Sequence, residues 1–583
     1  MLAALGGMSV VMFSWLGLAG VFTGLGCLWY RPGRLPQADP IGVSQCFWLG
    51  WSVVVVGLQL WQVWLPVNGL ALLAVTLAGG VGLVRHRQQL RRALSAPFRG
   101  RRLFLSVVAL LLLWVANHSL RPPQNIDSGL YHLQAIRWIG SYPIVPGLGN
   151  LHGRLAFNNS YFLYPALLEA GPWVARSSHV ANSLLVAVFL AVSLWCAFQV
   201  PRATGPRQLS LLYRAFFLAP VLDKVYRYNL SSPSPDLAVL LLGAVISASL
   251  LDLGLAPPAS PAERTEVRRG IVFLAAVGVT LKLSFLPLGL GMGGLALVLG
   301  QRRPGVQAER RSPARVVLPL LALVFIPWLL RGVMASGYPL YPLTMGGVAV
   351  DWQVPAEQAR LDADWIKGYA RAPDQDYREV LDNWRWLGPW VRRLPAHYDV
   401  AVPLVLVGVM LAAAGLGRRR PGGPGSGELG LLLIPPLAGM VFWFLTAPDP
   451  RLVGAAVWIA AGVSLVLLLR RSAGASLPGK TLVVMGALYL AVAGGPLFRH
   501  LTLVGPGPDH GLHPTPAASV VPYVTASGLV LQVPRERGLC WDSPLPCTPL
   551  PSPDLQLRAP GDLGRGFRRA PATSGHEPQP GGK

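Results

Sequence analysis

Apolar runs recur along the whole chain, most of them at the length needed to cross the ~30 Å hydrocarbon core of a bilayer, roughly 17–25 residues. They lie near 8–29, 45–66, 67–84, 103–119, 179–199, 208–222, 236–254, 268–283, 284–300, 316–334, 401–417, 429–446, 452–470 and 481–497. A segment inside hydrocarbon must satisfy its own backbone polar groups, which makes runs of this kind helices. The expected fold is an all-α integral membrane protein, a polytopic helical bundle of about 13–14 transmembrane helices. Only 13% of residues are charged, against about 25% in soluble domains, so most of the chain does not face water.

The formal net charge of +24 does not point to nucleic acid, because the arginines sit in short loops between the apolar runs. Arg85, Arg87, Arg91, Arg92, Arg99, Arg101 and Arg102 separate the third and fourth runs; Arg264, Arg268 and Arg269 follow the seventh. Arg302, Arg303, Arg310, Arg311 and Arg315 follow the ninth, Arg418, Arg419 and Arg420 the eleventh, and Arg470, Arg471 and Lys480 the thirteenth. Counting spans puts all five clusters on one side, which the positive-inside rule makes cytoplasmic. The other side receives 120–178, 335–400 and 498–583. The chain therefore divides into N-terminal helices with a basic loop (1–102), a transmembrane core (103–500) and an extracytoplasmic Pro/Gly-rich tail (501–583). No basic n-region precedes the first run, and that run is long enough to span, so it reads as a helix rather than a cleaved leader.

The segment 335–400, with Trp352, Trp365, Trp384, Trp386 and Trp390, reads as a cap lying on the membrane, because tryptophan favours the interface. In the tail, 519–534 is β-branched enough for a short strand or two, and the chain past about 555 reads as disordered. Cys540 and Cys547, seven residues apart in the tail, suit a disulfide in an oxidising compartment. Cys27, Cys46 and Cys196 lie in apolar runs and read as small hydrophobes.

Chemistry concentrates in the first outer loop, 125–165. Asp127 follows the fourth run and precedes an amphipathic stretch in which Leu130, Leu133, Ile136 and Ile139 fall near helical spacing, a pattern that would lie in the interface plane. Tyr131, His132, Asn150, His152, Arg154, Asn158 and Asn159 add polar groups. An acid at the bilayer surface among such groups suits glycosyl transfer from a lipid-linked sugar. It could deprotonate an acceptor hydroxyl, or hold a divalent metal (Mg²⁺ or Mn²⁺) against the donor phosphate. Alternatively, Asp127 simply caps the helix that follows. Asp236, after S-S-P-S-P, has Asp223, Lys224 and Arg227 upstream; the group is either an interfacial salt-bridge cluster or lines the same outer cavity. Lys282 interrupts the apolar run 277–290, where a lysine rarely faces lipid; it either faces the cavity or marks the end of a span. Arg331 precedes S-G-Y-P-L-Y-P (336–342) by less than two helical turns, within reach of that cavity. Asp351, Asp362 and Asp364 read as surface residues. There is no HExxH, and the one GxxxxGK[ST] match, G-A-S-L-P-G-K-T (474–481), lies in a short loop between two apolar runs rather than between a strand and a helix, so no nucleotide cofactor is expected.

The strings D-S-G-L-Y-H (127–132), V-P-G-L-G-N-L-H-G-R-L-A-F-N-N-S (145–160), S-S-P-S-P-D (231–236), S-G-Y-P-L-Y-P (336–342) and A-P-D-P-R (447–451) resemble a family of bacterial polytopic membrane proteins. That family is grouped with the RgtA/B/C/D-like, glycosyltransferase family 39-like enzymes of the GT-C superfamily. The resemblance implies a bacterial inner-membrane enzyme using a polyprenyl-phosphate-linked sugar, with Asp127 as the catalytic acid of the first outer loop. It also implies that Arg451 meets the carrier phosphate, as an Arg-Tyr pair does at a similar late position in that superfamily; here Leu452 stands where the Tyr would be. Substrate contacts would come from Tyr131, His132, His152, Arg154, Asn158, Asp236, Lys282, Arg331 and Arg451. Residues alone leave two other readings open. One is a transporter or flippase of lipid-linked saccharides, which intramembrane charges also fit. The other is a polymerase or ligase of surface glycans.

Overall fold

The computed structural model describes residues 2–30, 39–95, 100–227, 230–258, 260–299, 313–416, 426–472, 486, 489, 503–505, 510–536 and 538–570. The apolar runs form helices α1 (Leu2–Cys27), α2 (Pro40–Trp61), α3 (Gly69–Ser95) and α4 (Arg101–Ser119). A loop with α5 (Leu133–Ser141), α6 (Leu148–Leu151) and α7 (Leu163–Glu169) follows. The bundle resumes with α8 (Ser177–Gln199), α9 (Gly205–Phe216), α10 (Leu218–Tyr226), α11 (Pro235–Leu255), α12 (Pro261–Leu281), α13 (Leu286–Val298) and α14 (Pro313–Ser336). Short α15 (Ala356–Arg371) and α16 (Leu387–Arg393) lead to α17 (Tyr398–Leu416), α18 (Ser426–Gly430), α19 (Ile434–Thr446) and α20 (Gly454–Ser472).

Among the described residues, eight helices are long and apolar enough to cross a membrane. Their outward faces are apolar too. Leu70, Leu73, Leu77, Val81 and Val84 form one exposed stripe on α3, and Ile434, Leu437, Val441 and Leu445 another on α19. Stripes this long would be an aggregation liability in water; in hydrocarbon they cost nothing, so the chain reads as a multi-pass membrane protein. Lipid tails are as apolar as leucine, so helices associate there through close packing. The α1–α2 contact is of that kind: a Cβ on Gly50 would lie 1.7 Å from the Phe22 carbonyl oxygen, so only glycine lets the two backbones meet.

Several runs differ in detail from their sequence reading. The run at 208–222 is not one rod; the chain breaks at Phe217 into α9 and α10. The run at 284–300 gives α13, 13 residues and so about 20 Å long. The run at 481–497 lies outside the described residues except Gly486 and Tyr489, as do Arg302, Arg303, Arg310, Arg311 and Arg418–Arg420.

All three long segments gather at one end of the bundle. The Gly147 N–H donates to the Met334 carbonyl (2.8 Å) and Asn150 Nδ2 to the Trp352 carbonyl (2.9 Å). The tail joins them through Thr548 Oγ1 donating to the Leu151 carbonyl (2.9 Å) and the Arg558–Asp351 ion pair (2.7 Å). Helix α3 leaves this end and carries Arg85, Arg87, Arg91 and Arg92 to the other, over 27 residues or about 40 Å.

The tail forms the strands expected at 519–534 and departs from the disorder expected past about 555. β1 (Val520–Val524) and β2 (Val530–Pro534) form an antiparallel hairpin, and β3 (Leu555–Leu557) pairs with β4 (Phe567–Arg569). Leu531, Leu555 and Phe567 bury against Trp138, Val145, Leu148 and Leu151 of the segment 125–165. The tail thus finds its apolar partner in another segment. Leu133, Ile136 and Ile139 do not face a lipid interface either: all three are buried in the main apolar core of the bundle. Nor do all the cap tryptophans lie on the membrane, since Trp386 and Trp390 are buried, packed against Trp443 and Phe444 of α19.

Candidate functional site

The site is built where helix ends meet at the loop-bearing end. Beyond α4, the chain reaches Asp127 and enters a π-turn, Ser128–His132, a local widening of the helix that frequently marks functional positions. The S-S-P-S-P-D string ties the approach to this turn to α8. Ser232 Oγ accepts from the backbone N–H groups of Gln124 and Asn125 (both 3.2 Å). Asn182 Nδ2 donates to the Ser232 and Ser234 carbonyls (2.8 and 3.1 Å), and Tyr161 Oη donates to Asn182 Oδ1 (2.7 Å).

Asp127 does not cap the helix after it. It has helical backbone angles and no side-chain cap bond, and Asn125 Oδ1 accepts the Asp127 N–H instead (3.0 Å). The carboxylate reaches across the bundle end, where Oδ2 accepts from Arg451 Nη1 at 3.2 Å across 324 residues of sequence. Oδ1 lies 3.6 Å from Arg154 Nη1. Arg451 stands on the short turn between α19 and α20 and also pairs with Asp449 (3.1 Å). Burial weakens the charge on Arg451, but Asp127, Asp449 and Asp236 outweigh it and hold the guanidinium pKa above its ordinary value. Arg154 lies over the Trp365 ring, 4.6 Å from its centroid, a cation–π contact.

Beside this group, Lys282 pairs with Asp236. Lys282 has an extended backbone just after α12, so the span ends there and the lysine is not stranded in hydrocarbon. Three carboxylates (Asp127, Asp236, Asp449) and three cations (Arg154, Lys282, Arg451) therefore neutralise one another. Lys224 pairs in turn with Asp399, a partner that nothing in the local sequence around either residue signals.

The remaining candidates lie around this centre. Tyr131 is buried beneath Arg154 (5.9 Å to the ring centroid), and burial raises its pKa. His132 is buried between Tyr131 and Phe162; burial pulls its pKa down to about 4, though Asp127 acts in the opposite sense. Burial and the Arg154 charge pull His152 down to about 3. Both rings are thus neutral at pH 7, which suits them to packing or hydrogen bonding rather than to carrying charge. Asn158, at φ 56°, donates from Nδ2 to the Trp328 carbonyl (2.6 Å) and accepts the Trp328 indole N–H on its own carbonyl (2.9 Å), clamping the loop to α14. Arg331 stands apart from the Asp127 group, in a cavity that also touches Arg154 and Asn158.

Asp362 is not a free surface acid. It accepts from Tyr341 Oη (2.5 Å), and a Cβ on Gly153 would lie 1.8 Å from its Oδ2, which accounts for the glycine of H-G-R. In the tail, Cys540 and Cys547 form a disulfide. The intervening Trp541 donates its N–H to the Gly129 carbonyl (2.8 Å), so the closed tail loop rests on the π-turn.

Asp127 offers a divalent cation one carboxylate, already faced by two guanidinium groups. Among the described residues no group of three or more His, Cys, Asp or Glu side chains is placed to hold a metal ion.

The family described as a domain of unknown function, DUF8201, matches residues 8–458. The chain belongs to the DUF8201 family. No curated protein and no solved structure matches it. The DUF8201 match runs from α1 into α20 and takes in Asp127, Arg154, Asp236, Lys282 and Arg451, whereas the disulfide-closed tail lies beyond it.

Proposed function

We propose that the chain is a GT-C-like glycosyltransferase of the bacterial inner membrane. It moves a sugar from a polyprenyl-phosphate donor to a cell-envelope glycan or lipid acceptor at the outer face. The observation that carries this reading is the Asp127–Arg451 pair at the mouth of an apolar bundle. It sets an acid beside a guanidinium whose fork matches phosphate oxygens, at the end of the bundle where a lipid-linked phosphate would sit.

The charge balance suggests how the site works. At rest, each cation is held by a carboxylate. The donor phosphate takes the Arg451 fork, which frees an oxygen of Asp127. That oxygen accepts the proton of the acceptor hydroxyl as the acceptor oxygen bonds to the anomeric carbon. The bond from that carbon to the phosphate oxygen breaks, and its electron pair leaves on polyprenyl phosphate beside Arg451. Catalysis is then positioning and charge stabilisation, with Lys282 and Asp236 tuning the field.

The test is release of polyprenyl phosphate by purified protein in detergent, from a panel of polyprenyl-phosphate sugars with a crude glycan acceptor. The wild type releases it and Asp127→Asn does not. Equal release by both removes Asp127 from the mechanism. No release by either, across the panel, sets the transferase reading aside in favour of flipping, which is then measured in liposomes.

A further inference from the structure

Arg331, on the last turns of α14, is buried (7% exposed), and its Nε and Nη1 have no hydrogen-bond partner. This sets it apart from the other deeply buried cations. Arg214 has Asp252, Arg371 the Val380 and Leu381 carbonyls, Arg268 the Leu299 carbonyl and Arg264 the Pro258 carbonyl. Among the described residues no carboxylate pairs with Arg331, and none lines the cavity of about 50 Å³ beside it. The walls are apolar, with Trp138, Ile139, Leu155 and Phe162, and the polar lining is Arg331, Arg154, Gln62 and two asparagine amides. Gln62 Oε1 is also buried without a partner; turned over, its amide presents a second donor to the same space.

An unpaired buried charge among apolar walls is expensive. The missing component has the chemistry of an acceptor with full negative charge. The volume narrows it further: a benzene-sized ligand needs a cavity of roughly 150 Å³, and a water takes up about 30 Å³ of liquid. The space therefore admits one oxyanion group but not a sugar ring. We propose that this cavity binds a single oxyanion, a carboxylate or a phosphate, on the Arg331 fork, with the rest of the ligand outside it. Arg154 lines the cavity and also pairs with Asp127, so the bound anion competes for Arg154 and reports to the Asp127 group. The proposal stands whether or not the chain is a transferase.

The experiment uses the full chain in neutral detergent at constant ionic strength, with chloride as the reference. Thermal unfolding is followed against inorganic phosphate and against glucuronate for the wild type, Arg331→Met and Arg331→Lys. One of the two anions raises the wild-type midpoint, with a half-saturating concentration at least tenfold higher in Arg331→Met and intermediate in Arg331→Lys, which keeps charge without the fork. Without added anion, Arg331→Met melts no lower than the wild type, since the charge it removes has no partner. Phosphatidylglycerol against phosphatidylcholine nanodiscs, read by native mass spectrometry, identify the source. An anionic lipid retained by the wild type, displaced by phosphate and lost in Arg331→Met makes the group a headgroup, whereas a response to glucuronate or phosphate alone makes it part of a soluble ligand. The proposal is overturned if no phosphate, glucuronate or anionic lipid binds. Equal half-saturation in all three proteins overturns it too, as does an anion-free midpoint of Arg331→Met below the wild type.

Discussion

Replacing Arg451 by Met separates a structural ion pair from a working one, because the two predict effects of different size. Asp127 Oδ2 and Arg451 Nη1 are 3.2 Å apart. Unit charges at that distance attract by about 5 kcal/mol at an effective dielectric constant of ~20. The Arg451 side chain is 46% exposed and Asp127 20%, so solvent screens most of that, and the net coupling falls to about 1 kcal/mol or less. Asp127 also keeps Arg154 at 3.6 Å. The melting midpoint of Arg451→Met in detergent should therefore move by only a few degrees. If the pair is the reacting centre, the same change removes the group meeting the leaving phosphate, and release of polyprenyl phosphate should fall by about 100-fold or more, some 3 kcal/mol of transition-state stabilisation. The double variant Asp127→Asn/Arg451→Met should lose little beyond the worse single variant, as residues acting as a unit do. A rate loss under threefold, or one that tracks the loss of folded protein, would refute the assignment.

Stability should fall in acid through His132 and His152. Burial holds their folded pKa values near 4 and 3, below the ordinary 6.5, so the unfolded chain takes up protons first as pH drops. Their contribution is complete above about 6.5 and is lost through pH 4, on the order of 3 kcal/mol for His132; His132→Phe should flatten the melting profile over that window. Gly50→Ala should cost about 1–3 kcal/mol by overpacking, because its Cβ meets the Phe22 carbonyl, while Gly57→Ala, with nothing within 4 Å, serves as the control; equal midpoints for the two would contradict the α1–α2 packing. Asp236→Asn strands Lys282 in a pair that is only 20–25% exposed and should destabilise by about 2 kcal/mol. Adding Lys282→Met should recover most of that loss of midpoint, and no recovery would mean the pair is not the source.

Helices were legible because length and hydropathy are local properties, and the runs of α1–α4, α8, α11 and α14 follow from composition alone. Breaks were legible only in part: the boundary expected at 283/284 falls beside the extended Lys282, but nothing in the run 208–222 signals its break at Phe217, because what ends a helix inside a bundle is the neighbour it meets. The tail illustrates the same point: Leu555 and Phe567 sit in a stretch whose composition reads as disordered, and they order by filling space against Trp138. The site falls between these cases. No local pattern links Asp127 to Arg451 or Arg154, but the parity of spans between them does. Counting spans from the basic clusters puts residues 127, 236, 282, 336 and 451 at the same end of any helical bundle, whatever its packing. The structure brings four of those positions into one charge-balanced group. Distances needed tertiary packing; co-location needed only an even count of helices. The same parity places Arg331 at that end as well, yet nothing in its sequence neighbourhood shows that the partners of every other buried arginine are missing from this one. Unmet charge is a property of what surrounds a residue in space, which makes it legible only after the bundle is assembled.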